Sequence, residues 1–226
     1  MKFFSFDSKF SQIMLKFCYS CWLNLLWFVC SIPVVTVGAA TTALYYATLK
    51  LARNEEGDVT KMFFRSFRQN FKQATGLWLI MLGVGLFLAA DGYVLYHLRL
   101  TAAGPLPVIF TILLAVIIAA SVLYVIVLIY VFPLLASVEN TNRAMLKNSF
   151  LIGTHYLFCT IMVFAIHFAM FFVIVRFFTP LIIVGEGLSA MLSSLLLRRV
   201  IDACTCDPED AGTEAEAAEA DGEDAE

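Results

Sequence analysis

No charged side chain interrupts residues 105–137, and so long an apolar run leaves a chain few ways to fold. About 18 consecutive apolar residues already favour a membrane helix. Further apolar segments lie at about 12–32, 38–53, 74–97, 150–175 and 178–198. They are continuous rather than alternating, which excludes a β-barrel. Composition agrees: 61% of residues are hydrophobic and 15% charged, against about 45–50% and about 25% in a soluble domain. The sequence therefore predicts an all-α, polytopic membrane helix bundle with the lipid bilayer as its first partner.

Charge is divided unevenly. Eleven of the eighteen acidic residues fall in 202–226, which leaves residues 1–201 with seven acids against fifteen bases. The last 25 residues read as a disordered, acidic cytoplasmic tail, too poor in apolar surface to offset the entropy of ordering. Residues 1–201 read as the membrane bundle. Its lead-in mixes Phe3, Phe6 and Phe10 with Lys2, Lys9 and Lys16, as suits the membrane interface.

The stretch Pro33–Lys72 organises the bundle. Pro33 and Gly38 bracket a turn, and Gly38, Ala39, Thr42, Ala43 and Ala47 form a small-residue face suited to close helix packing in lipid. At 1.5 Å per residue, 38–53 covers only about 24 Å of a hydrocarbon layer about 30 Å thick. A cytoplasmic elbow, 54–73, follows. Within it Val59, Phe63, Phe67 and Phe71 recur every fourth residue, and Lys61, Arg65, Arg68 and Lys72 supply the polar side. Such a helix is expected to lie on the inner leaflet, held by anionic headgroups. Nucleic acid is not expected as its partner, because the helix joins a membrane span directly.

Six membrane segments are expected, or five if 38–53 does not cross. With six, thirteen Lys/Arg fall inside and two, Arg99 and Arg176, outside; with five the division is ten to five. The positive-inside rule favours six, with both termini cytoplasmic. The run 105–137 is too long to stand upright and is expected to tilt, kink near Pro133 or project.

NLLWFVCSIPVVTVGAATTALYYATLKLARNEEG (Asn24–Gly57), FFRSFRQNFKQA (Phe63–Ala74), YVFPLLASVENTNRAMLKNSFLIG (Tyr130–Gly153) and, more weakly, SSLLLRRVID (Ser193–Asp202) resemble the YesL family of bacterial integral membrane proteins. The resemblance covers most of residues 5–202. It implies a multi-pass protein of the bacterial cytoplasmic (plasma) membrane with no assigned molecular function and no known catalytic residues. Association with carbohydrate ABC transporter subunits, as an accessory to sugar uptake, is a further implication. The chain departs from the family pattern at Asn54, where Gly is common, at Glu186 in a normally apolar last span, and in its acidic tail.

Polar residues inside apolar segments are the most informative for function. Asn24, Asp91, His167 and Glu186 lie on four segments at one shared depth, roughly two thirds of the way outward. Intramembrane ionisable groups usually face a partner or a water-filled cavity. They are thus candidates for a cluster that binds a cation, a proton or a small polar solute, with Glu186 as anchor. Their structural alternative is packing, with Asn24 and His167 bonded to backbone. A docking face for a partner is expected on Lys61, Arg65, Arg68 and Lys72 and on the inner loop with Glu139, Asn140, Arg143 and Lys147.

Cys18, Cys21, Cys204 and Cys206 could supply four thiolates to a zinc ion. The first two enter lipid on a helix and the C-x-C spacing is short, so inert or redox-sensitive thiols are expected instead. No phosphate loop, HExxH or nucleophile elbow occurs. Neither an enzyme nor a cofactor is expected. A non-enzymatic accessory or scaffold protein is the leading expectation, and a small-solute or ion transporter is the alternative.

Overall fold

The computed structural model describes residues 9–55, 57–176 and 182–205. Residues 1–8, Cys206 and the rest of the acidic tail lie outside the described residues. Among the described residues there are seven α-helices and no strand: α1 (Lys9–Cys30), α2 (Val37–Ala52), α3 (Val59–Thr101), α4 (Leu106–Ser137), α5 (Asn142–His155), α6 (Leu157–Arg176) and α7 (Ile182–Thr205). Four of them contain segments long and apolar enough to cross a membrane: Gln12–Cys30, Val59–Thr101, Leu106–Ser137 and Leu157–Arg176. The chain is thus all-helical with several membrane-length helices. Neither α2 nor α7, both expected as membrane segments, is in that set of four.

α2 is the central element, packed against α1, α3, α4 and α7. Its small-residue face is wholly buried, including Gly38, Ala39, Thr42, Ala43 and Ala47. Short side chains bring neighbouring backbones close, and dispersion then grows steeply with contact. A Cβ on Gly38 would stand 2.5 Å from Trp78 Cβ and 2.6 Å from the Ala74 carbonyl oxygen. α2 and α3 therefore meet almost backbone to backbone. The Pro33–Gly38 break forms as expected, a 3₁₀ turn at Val34–Thr36. It is tied by the Thr36 hydroxyl donating to the Cys30 carbonyl (2.6 Å) and by Trp27 Nε1 donating to Thr41 Oγ1 (3.1 Å).

The elbow is not a separate helix. Residues 59–101 form one continuous helix of 43 residues, about 64 Å long if straight. Between Lys72 and Trp78 only Gly76 weakens the helix, at a cost of about 1 kcal/mol, which is too little to end it. Nor does the apolar stripe lie on lipid alone. Val59 and Phe63 are buried in the protein core, Phe67 packs against that core, and only Phe71 is exposed. Asp58 caps the helix, its carboxylate accepting from the backbone N–H groups of Thr60 (3.0 Å) and Lys61 (3.3 Å).

The expected span 150–175 is also divided differently. Residues 142–155 are helical, where an inner loop was expected to reach 149, and the chain breaks at Tyr156 (φ −100°, ψ 51°) before α6. Just before the break Gly153 packs closely on α4: a Cβ there would collide with Ile126 Cγ2. The Thr160 hydroxyl donates to the Gly153 carbonyl (2.8 Å), supplying a donor to a carbonyl at the end of α5. Pro133 lies inside α4, which continues past it to Ser137.

One end of the bundle gathers the polar connections. Lys16 Nζ donates to Asn54 Oδ1 (2.6 Å), Arg53 pairs with Asp202 (2.5 Å), and Arg198 donates to the Ala52 carbonyl. The N-terminal half of α1 and the C-terminal end of α7 therefore meet the same turn, the link between α2 and α3. At the other end of α2, Trp78 Nε1 donates to the Val34 carbonyl (2.7 Å).

Candidate functional site

His167 on α6 and Glu186 on α7 face each other, with Nε2 3.8 Å from Oε1 and about a third of each side chain accessible. Tyr45, from the middle of α2, brings its hydroxyl within 3.3 Å of the same Nε2. The other ring nitrogen, Nδ1, sits 3.0 Å from the Val163 carbonyl oxygen one turn earlier in α6. A carbonyl oxygen can only accept, so Nδ1 carries a hydrogen. In the neutral ring Nε2 is then the acceptor and Tyr45 its donor. In the charged ring Nε2 also carries a hydrogen, with the Tyr45 hydroxyl at 3.3 Å and the Glu186 carboxylate beyond it at 3.8 Å.

Three helices thus converge on one imidazole. Thr41, Trp27, Trp78 and Phe132 extend the wall to enclose a cavity of about 350 Å³ beside α4. Its lining is mainly aromatic and aliphatic with few polar groups, the usual make-up of a small-molecule site.

Asn24 is fully buried, and its Oδ1 accepts from the backbone N–H of Gly187 (2.6 Å). One turn earlier on α1, the Ser20 hydroxyl donates to the Gly187 carbonyl (2.5 Å). A Cβ on Gly187 would strike the Ser20 carbonyl oxygen and stand 2.6 Å from Asn24 Cβ. Asn24 and Ser20 therefore clamp α1 to α7 backbone to backbone, next to Glu186 but without hydrogen-bonding its carboxylate. Asp91 stands apart on α3, half-exposed, and among the described residues no hydrogen bond or ion pair joins it to the other three. Of the four polar residues read from the sequence, His167 and Glu186 share the cavity, Asn24 supports it from behind, and Asp91 lies elsewhere.

Tyr45 is the member that sequence reasoning missed. Its signal is weak: α2 carries two adjacent aromatic hydroxyls, Tyr45 and Tyr46, and one that is buried in a tight bundle needs a hydrogen-bond partner.

The residues assigned to a docking face are all exposed: Lys61, Arg65, Arg68 and Lys72 on α3, Glu139 and Asn140 in the α4–α5 link, and Arg143 and Lys147 on α5. Gln73 Nε2 donates to the Asn140 carbonyl (2.5 Å), which joins the α3 part to the α4–α5 link. Cys18 and Cys204 are exposed and Cys21 is half-buried, each with a free thiol. Among the described residues no three His, Cys, Asp or Glu side chains are grouped to hold a metal ion.

Residues 21–92 match the family described as "Protein of unknown function, DUF624". The chain is 30% identical over 136 residues to the uncharacterized protein YesL of Bacillus subtilis (strain 168), a match covering 58% of this chain and 60% of YesL. It is 26% identical over 170 residues to the uncharacterized protein YteU of the same organism, covering 74% of this chain and 72% of YteU. The matched region thus spans less than two thirds of YesL's own length. No solved structure matches the chain. The DUF624 match and the similarity to YesL and YteU support a YesL-like family of unassigned function.

Proposed function

We propose that this chain is a non-enzymatic accessory or scaffold protein of the bacterial cytoplasmic membrane. In this reading it crosses the membrane six times, keeps both termini in the cytoplasm, and docks through a basic face onto a second membrane assembly. One observation carries the proposal. The helix that bears Lys61, Arg65, Arg68 and Lys72 turns Val59 and Phe63 into the protein's own core and leaves its four cations exposed. An interfacial anchor keeps its apolar stripe for lipid; here most of that stripe is already occupied. Lys61 pairs with Asp58 at 3.5 Å; Arg65, Arg68 and Lys72, with Arg143 and Lys147, are left for an acidic partner surface or for headgroup phosphates.

The partner class is a carbohydrate importer, the context that the YesL resemblance implies. Chain purified from native membranes in mild detergent should carry importer subunits in stoichiometric amount. Charge reversal at Arg65, Arg68 and Lys72 together should release them and leave the chain in the membrane. Retention of those subunits by the reversed variant would overturn the docking face.

A second reading is favoured by the site on α6 and α7. A carboxylate 3.8 Å from an imidazole on a cavity wall is the arrangement expected of a proton- or solute-binding transporter. Solute movement by the chain alone in liposomes, abolished in Glu186→Gln, would place it above the scaffold reading.

A further inference from the structure

The cavity at Glu186 has a neighbour across part of its wall. A second cavity of about 400 Å³ adjoins it and shares Val125, Ile129 and Phe164 with it. This second space lies between α4 and α6, and its rim residues Ile118, Val122 and Ile161 are 57%, 56% and 57% exposed. A rim so apolar opens toward lipid rather than water. The two hydroxyls in its lining are already committed to backbone: Ser121 Oγ donates to the Ile117 carbonyl (2.8 Å) and Thr160 Oγ1 to the Gly153 carbonyl (2.8 Å). The slot therefore offers a ligand only hydrocarbon contact.

The first cavity differs. Its indole N–H groups are also committed, Trp27 to Thr41 and Trp78 to the Val34 carbonyl, so the rings can offer their π faces. The Glu186 carboxylate is not so satisfied. Among the described residues no donor makes a hydrogen bond to it, and its ion-pair neighbour, His167 Nε2, stands at 3.8 Å. A carboxylate accepts readily from several donors at once. Beside Trp27, Tyr45 and Trp78 it marks a place for an ammonium group, held by charge and by cation–π attraction.

We propose that the two adjacent cavities together serve as one lateral binding site for a single-chain amphiphile with a cationic, ammonium-type head. The head lies at Glu186 among the aromatic rings, and the chain lies in the slot between α4 and α6. Such a ligand enters sideways from the bilayer, because the slot opens through the exposed apolar rim. The site shares its polar end with the transporter reading but does not require transport. A chain that binds the amphiphile without moving it removes that reading and leaves this inference standing.

The test uses the full chain in phosphatidylglycerol nanodiscs, carrying Trp22→Phe so that fluorescence reports Trp27 and Trp78. Decyltrimethylammonium should produce a saturable change. Glu186→Gln should weaken it by about tenfold or more, as for loss of one partner of a desolvated charge pair. Uncharged decyl maltoside should bind weakly, and Ile161→Phe, which narrows the slot without adding a fluorophore, should weaken the decyl compound but not tetramethylammonium. Non-saturable partition, or equal affinity for the charged and uncharged decyl compounds, would overturn the site. If Glu186→Gln does not fold, Ile161→Phe is decisive by itself: unchanged decyl affinity there removes the proposal.

Discussion

Arg53 and Asp202, 149 positions apart in the chain, meet at 2.5 Å at one end of the bundle. Lys16 reaches the adjacent Asn54, so α1 and α7 bring their N- and C-terminal parts to the same turn. Exposed pairs of this kind contribute only about 0–1 kcal/mol; their value here is geometric. Topology reporters fused after Asn54 and after Asp202 should give the same side of the membrane. If only one of the two positions reported a periplasmic location, the meeting of Arg53 with Asp202 could not hold in the membrane.

Two glycines should respond to alanine with opposite sign. A Cβ on Gly187 would collide with the Ser20 carbonyl oxygen, whereas a Cβ on Gly76 would have nothing within 4 Å. Gly187→Ala should destabilise by about 1–3 kcal/mol, the usual cost of overpacking a contact that cannot yield. Gly76→Ala should stabilise by about 0.4–1 kcal/mol through the unfolded state and helix propensity. Thermal unfolding of both variants in one detergent compares them directly; the same sign for both would contradict the α1–α7 contact.

The YesL resemblance implies glycine where this chain has Asn54, and the backbone there suits either residue. It has φ 58° and follows the C-cap residue Arg53 of α2, a left-handed position that Gly adopts freely and Asn tolerates. Asn54→Gly should leave stability nearly unchanged, with the bond to Lys16 lost. Asn54→Val should cost about 1–2 kcal/mol, seen as a lower unfolding midpoint. Equal midpoints for Gly and Val would mean the position is not left-handed.

Local chemistry made parts of the fold legible in the sequence. Pro33 and Gly38 announce the turn, the Gly/Ala/Thr face announces a central close-packed helix, and the apolar runs announce membrane-length helices. The break at Tyr156 was not legible because the nearby Gly153 lies inside α5 and residues 154–164 carry no Gly or Pro; the close fit of Gly153 against α4 is a tertiary fact. The Phe63–Phe67–Phe71 periodicity fixed a helical face but not its neighbour, since core and lipid both accept aromatic rings. His167 and Glu186 stood out because charge is rare in apolar spans. Asn24 was equally conspicuous, yet its amide is engaged by the Gly187 backbone, which no spacing in the sequence encodes.

Asp58 should give the start of α3 a pH dependence. The Lys61 backbone N–H, and then that of Thr60, hold its carboxyl below the usual carboxylate range. A lowered folded-state value contributes stability that is fully present above the unfolded value, about 3.9. That contribution is lost as pH falls through the folded value. Hydrogen exchange at residues 60–62 should therefore accelerate, relative to the rest of α3, as the medium is taken below about pH 4. Asp58→Asn, which keeps an N-cap acceptor without a titrating group, should remove that relative acceleration. Persistence of the effect in the Asn variant would assign it to another group.

The continuity of α3 decides whether its cations stand on a rigid extension of a membrane helix or on a hinged flap. Spin labels at Arg65 and Leu86 flank the place where a break was expected. A straight helix separates their Cα atoms by about 32 Å, whereas a right-angled elbow at residue 73 brings them to about 23 Å. A single narrow distance distribution near the longer value is expected in lipid. It follows from the absence of a breaker between Lys72 and Trp78 and from the buried contacts of Phe63, Ala74 and Leu77 on both sides of that point. A population at the shorter distance would show a hinge, and the basic face could then swing onto the inner leaflet. The docking proposal would lose its support, because Phe67 and Phe71 would be turned to lipid and the cations to headgroup phosphates.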